Sequence, residues 1–245
     1  MTDALSQMEF CFVPHGPFWM GSDTNDLVAS DWERPQHVHL VANDFWIGRT
    51  PVSIAQFKSL AQTLQRRSAR PVVNVSWHDA LRYCNGLTQR WRTAGILSPS
   101  QLVRLPTEPE WEKAARGGLH IPVAPITVAA SLIHPMHTHE VALMENPSPT
   151  RRYPWGDQPV AGSDKQSPYG CVEMAGNVWE WCMTKVCTDY RAYIENNDVL
   201  GDEARIVRGG AFERQERFAR CAFRYWHDPE FQFELIGFRV VIAQT

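Results

Sequence analysis

The sequence predicts an α+β domain with little regular secondary structure, and three observations carry that prediction. Helical periodicity is confined to three short, well-capped stretches in the first half of the chain. Strand-like runs are brief and lie on both sides of them. The rest is dense in turn formers and indoles: the 245 residues hold 15 Gly, 17 Pro and 10 Trp, a composition suited to loops pinned by large side chains. With 44% hydrophobic and 21% charged residues, the chain can bury a substantial core, and one domain over residues 1–245 is expected.

Taken in order, Met8 to Pro14 and Phe18 to Gly21 flank the turn residues Gly16-Pro17 and read as a hairpin that opens the fold. Residues 22–35 are polar and read as a loop. Val38 to Leu40 and Phe45 to Gly48 are further short strands. Ser53 stands at the N-cap of a helix with Ile54, Phe57, Leu60, Ala61 and Leu64 on one face. Ser76 caps a second, with Asp79 at the capping-box position and Trp77, Ala80, Leu81, Cys84 and Leu87 as its apolar stripe. Thr107-Glu108-Pro109-Glu110 opens a third, which Gly117-Gly118 ends. From Leu119 to Thr150 no period is sustained, and the stretch reads as an insertion at about 119–150. Beyond it only Ile206 to Val207 and Ile236 to Ile242 look like strands.

Charge and cysteine usage narrow the function classes. Lys+Arg is 24 against Asp+Glu 27, a net charge of -3, which gives no electrostatic footprint for nucleic acid or an anionic membrane. No apolar run reaches the ~18–20 residues of a membrane span, and the start lacks the basic and apolar regions of a signal peptide; a cytoplasmic protein is expected. Six scattered cysteines do not make a disulfide scaffold. Only four basic residues are lysine, so arginine, with its planar set of donors, is expected to satisfy the loop backbone.

Seven short strings in fixed order resemble the formylglycine-generating-enzyme (sulfatase-modifying factor) family. They are Gly16-Pro17-Phe18-Trp19-Met20-Gly21-Ser22, Pro71-Val72-Val73-Asn74-Val75-Ser76-Trp77, Arg104-Leu105-Pro106-Thr107-Glu108-Pro109-Glu110-Trp111-Glu112, Tyr153-Pro154-Trp155-Gly156, Gly176-Asn177-Val178-Trp179-Glu180-Trp181, Arg208-Gly209-Gly210 and Gly237-Phe238-Arg239. The resemblance implies C-type-lectin-like topology. It also implies where chemistry would lie, and there the sequence departs from the pattern. The copper-binding cysteine pair of the family's enzyme falls, counted from Gly209-Gly210, on Arg214 and Ala219, and counted back from Arg220, on Ala211 and Glu216. No cysteine stands at any of them, so no copper is expected. Cys182 and Cys187 share the spacing but follow a different motif. His134, His137 and His139 could offer imidazoles to zinc or iron from within the insertion. A calcium site carried over from the family would use the side chains of Glu173 and Glu180 and the carbonyls of Gly176 and Val178; the alternative is that Glu180 is a buried acid paired to an arginine. Trp179 and Trp181 are expected in the core, in a packed turn.

The interval Ala211 to Leu235 carries the ligand-binding residues in lectin-like relatives that serve as variable proteins of diversity-generating retroelements. Here the corresponding candidates are Glu213, Arg214, Arg217, Phe218, Phe223, Tyr225, Trp226, His227, Phe231 and Phe233. Rings interleaved with Arg and Glu suit a binding surface, and equally suit a core. The leading expectation is a non-catalytic module binding a protein or other ligand. Its rivals are a metal-dependent oxidoreductase with a relocated site and an assembly subunit docking through 119–150.

Overall fold

The computed structural model describes residues 5, 7–60, 68–133, 141–158, 165–211 and 216–244. The chain runs through β1 (Glu9–Val13), β2 (Gly16–Met20), β3 (His37–Val41), β4 (Phe45–Gly48), α1 (Ile54–Leu60), α2 (Trp77–Thr93), β5 (Gln101–Arg104) and α3 (Glu108–Arg116). After these come β6 (His120–Pro122), β7 (Thr127–Ala129), β8 (Leu143–Glu145), β9 (Trp179–Lys185), β10 (Arg205–Arg208), β11 (Arg224–His227), β12 (Ile236–Gly237) and β13 (Val241–Gln244). None of these helices is long and apolar enough to cross a membrane.

Strand alternation divides the core in two. The five-stranded sheet has order β5-β13-β4-β1-β7 and is antiparallel throughout. On β1, Phe10 and Phe12 join a cluster with Trp77, Tyr83 and Trp91 of α2, while Cys11 and Val13 join another with Trp111, Ala114 and Ala115 of α3. Successive side chains point to opposite faces, so both faces of this sheet are covered by helix. The second sheet, β11-β10-β9-β12, repeats the division: Trp181 and Val207 belong to the first cluster, Cys182 and Ile206 to the second.

All three helices start where capping chemistry places them. Ser53 Oγ accepts from Gln56 N and Gln56 Oε1 from Ser53 N; Ser76 with Asp79, and Thr107 with Glu110, form the same reciprocal box. Gly117 ends α3 at φ +94, where a Cβ would stand 2.6 Å from Asn146 Nδ2.

Strand structure differs from the sequence reading in five places. The two opening strands exist but do not form a hairpin: β1 pairs with β4 and β7, β2 with β3. Ile236 to Ile242 is broken into β12 and β13, which lie in different sheets. Trp179 to Trp181 begins a seven-residue strand instead of a turn, and β11 is a strand in a stretch read as irregular. Within 119–150, β6 pairs with β8 while β7 closes one edge of the central sheet.

Candidate ligand-binding site

The site is assembled by arginines that bond carbonyls on neighbouring loops. Arg208, fully buried, donates to the carbonyls of Cys221, Ala222 and Phe223 and to Glu112 Oε2, fixing the turn that enters β11. Arg220 reaches across 187 residues of sequence to both oxygens of Glu33, at 2.7 and 2.9 Å, and to the Val28 carbonyl. Arg224 pairs with both oxygens of Glu108 at 2.7 Å and donates to the carbonyls of Trp32 and Cys187. Such bidentate, charge-assisted pairs hold geometry as well as contributing energy. The loop carrying Val28 to Glu33 is thereby fixed against residues 217–224. On the far side, Asn74 N donates to the Phe233 carbonyl and Trp77 N to that of Pro229, tying residues 229–233 to the start of α2.

Burial alone would lift the Glu112 carboxyl, but Arg208 and Arg116 beside it hold it below the usual carboxylate range. The same neighbours explain why so many charges tolerate the interior: Glu33, Glu108, Glu112 and Glu180 are each 0% exposed, and each faces a guanidinium. A buried charge without such a partner would cost several kcal/mol.

Between these fixed walls lies a cavity of about 570 Å³, within the range of small-molecule sites. Its lining is Val28, Ser30, Trp32, Trp179, Arg217, Phe218, Phe223, Tyr225, His227, Phe231 and Phe233. The rings are in mutual contact: His227 stacks on Phe231 with centroids 4.2 Å apart, Phe218 meets Phe223 edge-on at 4.9 Å, and Trp179 lies 5.7 Å from Phe223 and 6.1 Å from Tyr225. Tyr225 is 43% and Phe231 39% exposed, whereas Phe223 is 4%; the first two open the cavity to solvent and the third seals it from the core. Burial pulls the His227 pKa below its ordinary value, outweighing the opposite pull of Asp228. That shift favours the neutral imidazole.

Seven of the sequence candidates line this cavity: Arg217, Phe218, Phe223, Tyr225, His227, Phe231 and Phe233. Trp226 does not. It lies behind the lining, packed edge-on against Trp32 at 5.8 Å, stacked on Tyr225 at 5.5 Å and set against the second core cluster. Glu213 and Arg214 lie outside the described residues. Three lining residues, Val28, Ser30 and Trp32, come from the loop at 22–35, and Trp179, expected in the core, is a half-buried wall of the cavity. A lone indole in a polar stretch was the available signal for Trp32. Trp181 is fully buried, as its motif implies, with Nε1 donating to the Val75 carbonyl at 3.0 Å.

Of the four calcium candidates, the two carboxylates are engaged by protein donors. Glu180 accepts from Arg239 Nε at 2.6 Å, Arg239 Nη2 at 2.8 Å and Trp111 Nε1 at 2.7 Å. Its charge is already matched by a guanidinium that also bonds the carbonyls of Gly48 and Glu173. Glu173 is exposed and accepts from Asn177 Nδ2. Glu180 is thus a buried acid on an arginine, the pairing named as the alternative to a calcium site at Glu173, Gly176, Val178 and Glu180, while Glu173 lies apart from that pair at the surface. Among the described residues no group of three or more His, Cys, Asp or Glu is arranged to hold a metal. Cys182 is sealed in the core, where burial pushes its thiol well up, and Cys187 donates to the Asp189 carbonyl. His134, His137 and His139 lie outside the described residues.

Residues 2–244 match the Sulfatase-modifying factor enzyme 1-like domain. The chain belongs to that family. Over 187 residues it is 33% identical to the formylglycine-generating enzyme of Thermomonospora curvata, covering 71% of this chain and 55% of that protein. Over 228 residues it is 33% identical to the inactive C-alpha-formylglycine-generating enzyme 2 of Bos taurus, covering 87% and 64%. The chain thus spans little more than half the length of the first of these family members and under two thirds of the second. Its fold is similar to Treponema denticola variable protein 1, with a TM-score of 0.63 at 19% identity over 98% of this chain and 97% of that one.

Proposed function

We propose that this family member is a non-catalytic module that binds a protein or other ligand through residues 211–235, completed by Trp32 and Trp179. The observation that carries the reading is the cavity: eight rings converge on it from three separate segments, and two of those on the 211–235 segment, Tyr225 and Phe231, are exposed, whereas the other described Phe, Tyr and Trp side chains are buried or half-buried. Rigid rings desolvate large area at small cost in conformational entropy. No thiol is in the described lining of the cavity, and the segment that would carry the family's cysteine pair reads Ala211-Phe212-Glu213-Arg214-Gln215-Glu216-Arg217-Phe218-Ala219. Soft copper has no sulfur donor there.

Ligand-observed NMR with a library of ring-containing fragments tests the proposal. Fragments should bind the wild-type protein and lose binding to Tyr225→Ala and Phe231→Ala, each of which should melt close to wild type. Binding that persists in both variants, or no binding by any ring fragment, would refute it. A near-copy repeat of codons 208–239 beside a reverse transcriptase gene separates a retroelement-diversified form of the module from a fixed one.

A further inference from the structure

Away from the cavity, the ribbon of β2 and β3 has an open edge. Pro17 has no N–H, and its carbonyl accepts from Leu119 N; Gly21 gives its N–H to Glu112 Oε1 and its carbonyl accepts from Arg116 Nη2. The odd-numbered residues of β2 therefore turn their backbone groups toward α3 and the chain after it, and the even-numbered ones toward β3. Phe18 stands opposite His39 and Met20 opposite His37, so His37 and His39 are the bonded residues of β3, because bonding alternates along an antiparallel ladder. Val38 and Leu40 turn their N–H and C=O the other way, out of the ribbon. Among the described residues β3 pairs only with β2, and no other backbone group bonds Val38 or Leu40. Their side chains are exposed too, at 52% and 63%, and share the outer face with Trp19 and Pro17 across the ladder. The inner face is taken, since His37 and His39 pack on Tyr190 and Tyr193. Edge strands are ordinarily kept from pairing by a charge, a proline or a bulge, and His37-Val38-His39-Leu40-Val41 has none of the three.

We infer that this edge pairs with β3 of a second copy of the chain, antiparallel and centred on His39. In that register Val38 faces Leu40 of the second copy and Leu40 faces its Val38, so every outward N–H and C=O of the two residues meets its complement and apolar side chains meet at both pairs. Sliding by two residues would set Val38 or Leu40 against its own twin and leave the other facing Gln36 or Ala42, beyond the strand. Charge agrees with the orientation. The strand itself is uncharged, and its flanks carry Arg34 on one side and Asp44 on the other, both partly exposed; antiparallel pairing sets opposite charges beside each other, whereas parallel pairing would set like beside like. The two-fold axis closes the contact, which gives a dimer and not a fibre.

Sedimentation velocity over a concentration series tests this. Wild type should pass from monomer to dimer as concentration rises. Val38→Lys and Leu40→Lys, each of which breaks an apolar pair with a charge in both copies, should weaken dimerisation by roughly tenfold or more. Because both side chains are exposed, both variants should melt near the wild-type temperature. Mixing reads the register: Val38→Cys protein with Leu40→Cys protein should cross-link in oxidised glutathione faster than either variant alone, with wild type as the control for the native cysteines. A wild type that stays monomeric at the highest attainable concentration overturns the inference and leaves the edge to an extended segment of a different protein. A dimer that survives both lysine substitutions, or cysteine variants that cross-link no faster mixed than alone, overturns it as well.

Discussion

Replacing Glu180 with Gln removes one charge from one of the fully buried ion pairs among the described residues. The wild-type carboxylate takes three hydrogen bonds, from Arg239 Nε, Arg239 Nη2 and Trp111 Nε1, all within 2.8 Å, and carboxylate and guanidinium are both 0% exposed. A glutamine amide can accept only through its oxygen, and its NH2 would face the donors of Arg239. The variant therefore buries an uncompensated guanidinium and leaves at least one donor unpaired. Breaking such a pair costs about 3–5 kcal/mol, which in a domain of this size corresponds to a fall of roughly 6–20 °C in melting temperature. Arg239 also joins β4 to the 172–173 loop through the Gly48, Arg49, Val172 and Glu173 carbonyls, so the loss is not confined to one contact. Urea unfolding of wild type and Glu180→Gln, each with calcium and with chelator, is the assay. The account predicts a large loss in the variant and no response of the wild type to either addition. A cost below about 1 kcal/mol, or a wild-type midpoint that climbs with calcium, would refute the assignment of Glu180 as the partner of Arg239.

Other expectations follow from burial and charge. Trp181→Ala should cost about 3–5 kcal/mol as a core truncation, while Trp179→Ala, on the cavity wall, should cost less and weaken ring binding; equal losses in chemical denaturation would return Trp179 to the core. Tyr225→Ala and Phe231→Ala should each change stability by less than about 1 kcal/mol, whereas Phe223→Ala should cost about 3–5 kcal/mol and Trp226→Ala should also destabilise, since it packs on Trp32. Uniform losses across the four would mean that the cavity rings are core. Lys113 is buried with Nζ donating to the carbonyls of Pro14 and Gly16, and burial pulls its pKa from 10.5 to about 7. Between those values the unfolded chain holds a proton that the folded one lacks, so stability rises with pH across this window and is lost as pH falls toward 7. From pH 7 to pH 9 wild type should gain on the order of 1–2 kcal/mol over Lys113→Met, and parallel urea midpoints in the two proteins would contradict it.

What was legible in the sequence was local chemistry. Ser53, Ser76 and Thr107 each bring a partner three residues on, and all three helices begin there because a capping box needs nothing beyond its own turn. The family strings placed Trp181 correctly in the interior. Pairing was not legible. Gly16-Pro17 between two apolar runs looks like a hairpin, yet β1 and β2 go to separate sheets because Phe10 and Phe12 find α2 and the partners of Phe18 lie on β3. Along β11, Tyr225 and His227 line the cavity and Trp226 between them does not, a distinction available only once that segment is known to be a strand. The loop half of the site was hidden because its link to the aromatic segment, Arg220 with Glu33, spans 187 residues and carries no short-range signature.

The central claim, that the ring-lined cavity binds ligand, is tested most directly by the indole N–H signals of the ten tryptophans in a proton–nitrogen correlation spectrum of labelled protein titrated with indole. The account predicts saturable shifts for Trp32 and Trp179, the two that line the cavity, while the core signals of Trp77, Trp91, Trp111 and Trp181 stay in place. Shifts that spare Trp32 and Trp179, or that spread evenly over the core indoles, would contradict it.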